Sequence, residues 1–548
     1  MRWGTQRLAG HLGAALLCAC SAATGLEVPV GPSSAPFDAA PDAPPAADAS
    51  FDVPAPPDAS PDPRTHGDAG CAPLAMVLER RWPFPDEPLE HPDRTHVTST
   101  PLVLPPTREG EATRLAFVSH GRLVSTDGEL VGDGPLENGR MAPELGGVLR
   151  IVDLATRRTV SWSDPEVRAL APTATLAAGD LDGDGELELV ALGSYGHMHA
   201  FELDGEALWS ATAPPYAPLT PPSPRRTLLS VSGAPIVRDL ESDGTVEVIF
   251  GHCVVEGASG RTRFCVDSEA LSASQGYWGP LVHAVDLDGD GALEVLAGRV
   301  AYRADGRVLW RLRDELYGFS AVGDFLADRR GSEVALVRQS RWYVLDPSDG
   351  AILGRGRLPG APFLELLFAG GPPLVADLVG DGGDALVIAN RAEVVMVDPD
   401  CRGCEIRWKA AITDHSGVTG VSAADLDGDG LPEVIHADET ELRVLEGRTG
   451  RTRHRAPNHS RTRTEYPVVA DVDADGSAEI VVGSGREHRP PWETDPTPPG
   501  IAIYGERHGR WVRVGAEWLD HTGSRADGRW ARTLGPGAPF EAGCVADP

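Results

Sequence analysis

One nine-residue pattern, repeated along the chain, constrains the fold more than any other feature. It reads DLDGDGELE from Asp180, DLESDGTVE from Asp239, DLDGDGALE from Asp286, DLDGDGLPE from Asp425 and DVDADGSAE from Asp471. Two decayed copies, DFLADRRGSE from Asp324 and DLVGDGGDAL from Asp377, stand between them. An eighth stretch, PLVLPPTREGEATRLAFVS from Pro101, keeps the flanking apolar runs and has lost the acidic part. Successive starts lie 38 to 59 residues apart, and 79 back to the eighth copy. A period in this range belongs to solenoids and propellers, where one supersecondary unit is stacked on its neighbours.

Each copy follows a short β-type run such as PIV or PVVA and leads into another such as EVIFG or EIVVG. A third apolar strand and a turn come next, as in HAFELDG, and then a fourth strand that often ends in tryptophan: Trp162, Trp209, Trp310, Trp408. Four short strands with glycine turns in 40 to 60 residues make one propeller blade. The chain is therefore expected to be all-β, with eight four-stranded blades, or seven if the N-terminal unit is not a blade. The tryptophans are expected to pack between blades. The run from Cys71 to Trp82, CAPLAMVLERRW, reads as a stray fourth strand that would close the ring and leave no free edge.

These repeats resemble the FG-GAP, or VCBS-type, family, whose members include the propeller of integrin α-chains. The resemblance covers about residues 97 to 505 and is closest to bacterial surface-lipoprotein members. It implies a β-propeller and says little about a ligand. The turn endings LDGEALW and ADGRVLW also resemble quinone-cofactor propellers, against which the acidic loops argue.

The loops have the chemistry of a calcium site. Calcium takes six to eight oxygens from a flexible loop. In DxDxDGxxE the carboxylates at positions 1, 3 and 5 share one side of a tight turn, the carbonyl at 7 adds an oxygen, and the glutamate at 9 closes the shell. The glycine at 6 permits positive φ. The layout matches the first half of an EF-hand loop but leads into a strand. The expected ligands are Asp180, Asp182, Asp184 and Glu188; Asp239, Glu241, Asp243 and Glu247; Asp286, Asp288, Asp290 and Glu294; Asp425, Asp427, Asp429 and Glu433; and Asp471, Asp473, Asp475 and Glu479. Crowded carboxylates repel by roughly 1 to 4 kcal/mol per close pair at surface dielectrics, a cost that a divalent cation removes. About five ions would raise the formal charge from −32 to −22. Recurrence around a ring points to a structural staple, since a catalytic metal would be expected once.

The −32 charge, with Lys409 the only lysine, excludes a nucleic-acid partner, which needs a basic surface. Residues 1–19 read as a lipoprotein-type signal, with Arg2 and Arg7 flanking a short apolar run. Leu17 to Cys20, LCAC, resembles the bacterial lipobox, which implies lipidation of Cys20; plain secretion is the alternative. Residues 20–70 alternate proline, alanine and aspartate and cannot form a core. As an extended tether they would reach roughly 100 Å. Residues 71–548 are expected to form the propeller, with an N-terminal closing strand and a C-terminal extension. In an exported chain Cys253 and Cys265, and Cys401 and Cys404 of a CxxC, are expected disulfide pairs, with Cys71 near Cys544. His197 and His199 alternate on a strand as a candidate metal pair without a third ligand nearby, and Asp414-His415-Ser416, adjacent in a loop, cannot make a triad by themselves. The insertions 210–235 and 253–279 carry Tyr216, Arg225, Arg226, Tyr277 and Trp278, candidate contact residues on loops held by a rigid scaffold.

The expected function is a calcium-binding adhesion module at the cell envelope, probing a glycan or protein ligand, and not an enzyme. The alternatives are a propeller-type polysaccharide lyase or hydrolase and an envelope assembly scaffold. Membrane contact would run through the lipid alone, at the outer membrane or cell surface.

Overall fold

The computed structural model describes residues 75–106, 111–121, 146–163, 170–193, 197–212, 233–266, 281–312, 318–329, 331–338, 340–359, 370–401, 403, 405–414, 416–417, 419–460, 465–485, 497–512, 514 and 521. Among these there is no helix, and the strands form eight four-stranded antiparallel sheets. Blade 1 is Leu102–Leu104, Arg114–Ser119, Val148–Asp153 and Arg158–Trp162; blade 2 is Ala177–Gly179, Glu188–Leu192, His197–Phe201 and Ala207–Thr212. Blade 3 is Ile236–Arg238, Glu247–Phe250, Cys253–Glu256 and Thr262–Cys265; blade 4 is His283–Val285, Glu294–Ala297, Val300–Tyr302 and Val308–Arg311. Blades 5 to 7 follow the same order with first strands Phe319–Gly323, Leu374–Ala376 and Ser422–Ala424. Blade 8 has Val468–Ala470, Glu479–Ser484 and Gly500–Glu506, and its fourth strand is Met76–Trp82 from the start of the body.

The N-terminal unit is thus a true blade, and eight, not seven, is the number. The closing strand also falls where the sequence placed it. Met76 pairs with Glu506 and Trp82 with Ile501. Trp82 is 1% exposed, lies edge-on to Phe117 of blade 1 at 4.8 Å, and donates through Nε1 to Thr159 Oγ1 at 3.2 Å. The seam between blades 8 and 1 is therefore both packed and hydrogen-bonded.

Second strands are buried on both faces, as in Glu188–Leu192 and Val295 to Ala297, because each sheet is sandwiched between two others. Each of eight apolar clusters joins neighbouring blades, from Val103 with Val468 at the seam through Val190 with Val248 and Val434 with Val387 to Ile435 with Ile480. The core is a ring of interfaces, with no single centre. Residues just ahead of the first strands, among them Leu281, Pro373, Val421 and Tyr466, meet His283, Phe319 and His521 around a cavity of about 10 Å³. That holds at most one water.

Strand direction sorts the connections. In blades 4 to 8 the first strand starts beside that axial cavity and runs toward the turn that joins it to the second strand, the acidic turn where the motif is kept. The turn after the third strand returns to the acidic side. Connections after second and fourth strands lie on the opposite side, so the ends of 122–145, 213–232, 267–280 and 361–369 all attach there.

Candidate metal centre

In blade 2 the acidic turn is organised by its own backbone. Asp180 accepts the N–H of Gly183 at 2.8 Å and of Gly185 at 3.0 Å, one on each oxygen. Asp182 accepts Asp184 N–H at 3.2 Å and Asp184 accepts Glu186 N–H at 2.8 Å. Gly183 and Gly185 have φ of +83° and +90°, which costs a residue without Cβ nothing. Glu188 opens the second strand, is 1% exposed, and accepts Leu181 N–H at 2.6 Å. The same bonds recur in blade 4 around Asp286 and in blade 7 around Asp425. In blades 3 and 8, Ser242 and Ala474 take the position-4 place at φ of +56° and +60°, and only the glycine at position 6 is kept.

One carboxylate oxygen from each of Asp180, Asp182 and Glu188 falls within 4.8 Å of the others. Asp286, Asp288 and Asp290 do the same, as do Asp425, Asp427 and Glu433, and Asp471, Asp473 and Glu479. These are hard oxygen donors of the kind calcium takes. Burial, with Asp182 and Glu202 nearby, pushes the Glu188 carboxyl up to about 7; burial and Asp427 push Glu433 up to about 8, and burial and Asp473 push Glu479 up to about 9. A cation between the carboxylates would reverse this by favouring their charged forms.

The decayed copies keep different halves of the motif. In blade 5 Glu333 still accepts Phe325 N–H at 2.9 Å, and in blade 6 Asp377 still accepts Gly380 and Gly382 at 2.7 and 2.9 Å. Each retained half holds the hairpin's shape without the full donor set.

Arginines facing the loops escaped the sequence reading. In blade 3 Arg263 bonds Glu241 at 2.6 Å and Glu247 at 2.5 Å, and that loop's carboxylates do not converge as the other four sets do. In blade 7 Arg453 bonds Asp427, and Glu433 at 3.2 Å. Both are the extra residue of a β-bulge: Val254 pairs with Phe264 but Val255 with Thr262, and Val444 pairs with His454 but Leu445 with Thr452. A bulge re-aims one side chain, here onto the acidic turn. The shared run GRTR, at Gly260 and Gly450, was the available signal. In blade 4 Arg303, the turn residue after the third strand, bonds Asp288, and Asp290 at 3.0 Å. In blade 8 Arg80 reaches Asp473 at 2.8 Å.

Other expected sites sort plainly. Trp209, Trp310 and Trp408 pack between blades: their Nε1 groups each donate at 2.7 Å, to Gly257, Pro347 and Gly447 carbonyls of the next blade. Cys253 and Cys265 form a disulfide across paired strands. Cys401 is disulfide-bonded, while Cys404 lies outside the described residues. His199 Nδ1 lies 2.9 Å from Ser210 Oγ, and its ring is 6.4 Å from that of His197. Ser416 donates to Asp414 at 2.8 Å, where a nucleophile would need a histidine base; His415 is not among the described residues. Cys20, Cys71, Cys544, Tyr216, Arg225, Arg226, Tyr277 and Trp278 also lie outside them, as does the whole of 1–70.

Residues 425–482, from the acidic turn of blade 7 into the second strand of blade 8, match the FG-GAP-like repeat. A comparison with curated protein sequences finds no match. Among solved structures, the V. cholerae biofilm matrix protein Bap1 aligns at a TM-score of 0.60 and 17% identity, covering 84% of this chain and 97% of that one. The exotype rhamnogalacturonan lyase YesX aligns at 0.48 and 16%, over 79% of this chain and 75% of its own. At such identity the likeness is one of fold.

Proposed function

From the premise that the chain is an eight-bladed propeller carrying an FG-GAP-like repeat, we propose that it is a calcium-stapled recognition module of the cell envelope. Calcium in the acidic turns would tie the first two strands of a blade together. The opposite face would meet a glycan or another extracellular protein, with the cleaved chain held through a lipid on Cys20 and the spacer 20–70. The observation that carries this reading is the division of labour between faces. Regular acidic turns occupy one side, and the long, proline- or aromatic-bearing connections 213–232 and 267–280 join the other. The fold shared with a biofilm matrix protein is compatible with an adhesive role.

The second reading, a polysaccharide lyase or hydrolase, is separated by the same assay. The full chain is incubated in calcium with a panel of polysaccharides and envelope glycans, and both retention and product size are read. Retention of intact glycan is the expected result. Shortened products would replace the recognition reading with an enzymatic one. Neither retention nor cleavage would remove glycans from the proposal. Chelation should separately lower the melting temperature by several degrees, since the ions bind only the folded turns; an unchanged melt removes calcium.

A further inference from the structure

The acidic loops are not equivalent, and the difference lies in two positions that every blade presents to them. One is the turn residue that follows the third strand; the other is the bulge residue of the fourth. In blade 4 the turn residue is Arg303, bonded to Asp288 and Asp290. In blades 3 and 7 the bulge residues are Arg263 and Arg453, bonded to two loop carboxylates each. In blade 8 the bulge residue is Glu79, whose charge lies beside Asp473 and Asp475, and the next residue, Arg80, offsets it by meeting Asp473. Blade 2 has neither. Its turn residue, in the place of Arg303, is Glu202; Glu256 and Glu446 hold that place in blades 3 and 7, where Arg261 and Arg453 bond them, and the bulge residue of blade 2 is Leu208. Among the described residues, no arginine pairs with Asp180, Asp182, Asp184 or Glu188. Glu202 instead adds a negative charge beside Asp182, Asp184 and Asp204.

Resting on the calcium reading above, we propose that Arg263, Arg303, Arg453 and Arg80 are built-in counter-ions that compete with calcium in their blades, and that the Asp180 loop, with Glu202 as an added oxygen donor, takes the ion first. A guanidinium already bonded to loop carboxylates, two for Arg263, Arg303 and Arg453 and one for Arg80, must be displaced, or its charge tolerated, before a divalent ion can enter. Where glutamate stands in its place, the unneutralised charge acts the other way. Blades 3, 4, 7 and 8 would therefore hold their hairpins in low calcium, while blade 2 would be the calcium-dependent one.

The test is equilibrium dialysis of the chelator-treated full chain against calcium, with Glu202→Gln, Arg303→Gln, Asp180→Asn and Asp286→Asn variants checked for unchanged circular dichroism. One ion should bind at a concentration at least tenfold below that filling the rest. Glu202→Gln should weaken that tight class at least tenfold and Asp180→Asn should abolish it, while Asp286→Asn leaves it alone. Arg303→Gln should tighten one further ion. Five equivalent ions, or a tight class indifferent to Glu202 and Asp180, would overturn the inference while leaving calcium binding intact. No bound calcium at all would overturn the calcium reading itself, and this inference with it.

Discussion

Glu506 shows how a single carboxylate can tie the closing strand of the ring to its neighbour. It is 2% exposed at the end of Gly500–Glu506 and accepts the Ala75 N–H at 3.1 Å, just ahead of the closing strand. Burial alone would raise its carboxyl, but bonds from the Arg510 guanidinium and from the Ala75, His508 and Arg510 N–H groups outweigh that and hold it at about 2. A depressed carboxyl contributes stability that is present above its ordinary range near 4.5 and lost as pH falls toward 2. The separation corresponds to about 3 kcal/mol at most. Glu506→Gln should therefore lower the urea midpoint at pH 7, with the gap from wild type closing by about pH 2 to 3. Comparing the two proteins isolates Glu506 from other acid-sensitive groups such as His436, whose burial holds its imidazole down to about 4. A gap that stays constant with pH would mean that Glu506 acts by packing alone.

At the scale of the element, the recurring device is an aromatic side chain on the fourth strand laid against the turn glycine of the next blade. A Cβ on Gly260 would meet the Trp209 ring at 2.5 Å, one on Gly306 the Phe264 ring at 2.8 Å, and one on Gly450 the Trp408 ring at 2.5 Å. All three glycines also have φ between +66° and +84°. Gly260→Ala should thus cost about 1–3 kcal/mol through crowding and backbone strain combined. Trp209→Ala should cost about 3–5 kcal/mol by leaving a void between blades 2 and 3. Denaturant melts of both check this, and a neutral Gly260→Ala would show that the blades slide apart without cost. The blades and acidic turns could be read from the sequence because alternation, glycine spacing and the repeated motif are all local. Phe264 takes the same wedge place in blade 3, where the recurring mark in the sequence is a tryptophan. The arginines are different. Whether Arg263 faces its loop depends on the bulge opposite Val254 and Val255, and one residue of slip moves a side chain to the other face. Apolar periodicity does not announce where such a slip falls.

At the scale of the molecule, the ring is closed by a strand 430 residues away in sequence from its partner, Met76 against Glu506. Ring closure makes every blade interface depend on the others, because an opened propeller can separate at the seam without breaking a sheet. Removing residues 71–82 would take away the Trp82 contacts with Phe117 and Thr159, and the Arg80–Asp473 pair. It would also leave Gly500–Glu506 as a bare edge, a template for pairing with another chain. A chain beginning after Trp82 should melt several degrees lower and self-associate in a concentration-dependent way. A peptide of residues 71–82 supplied separately should restore a monomer and raise the melt toward that of the intact protein, because the strand is held by backbone pairing and one aromatic anchor. An analogous peptide with Trp82→Ala should restore far less. A truncated chain that stays monomeric and melts like the full one would mean that the other blade interfaces hold the ring by themselves, and that the N-terminal strand merely covers an edge already stable without it.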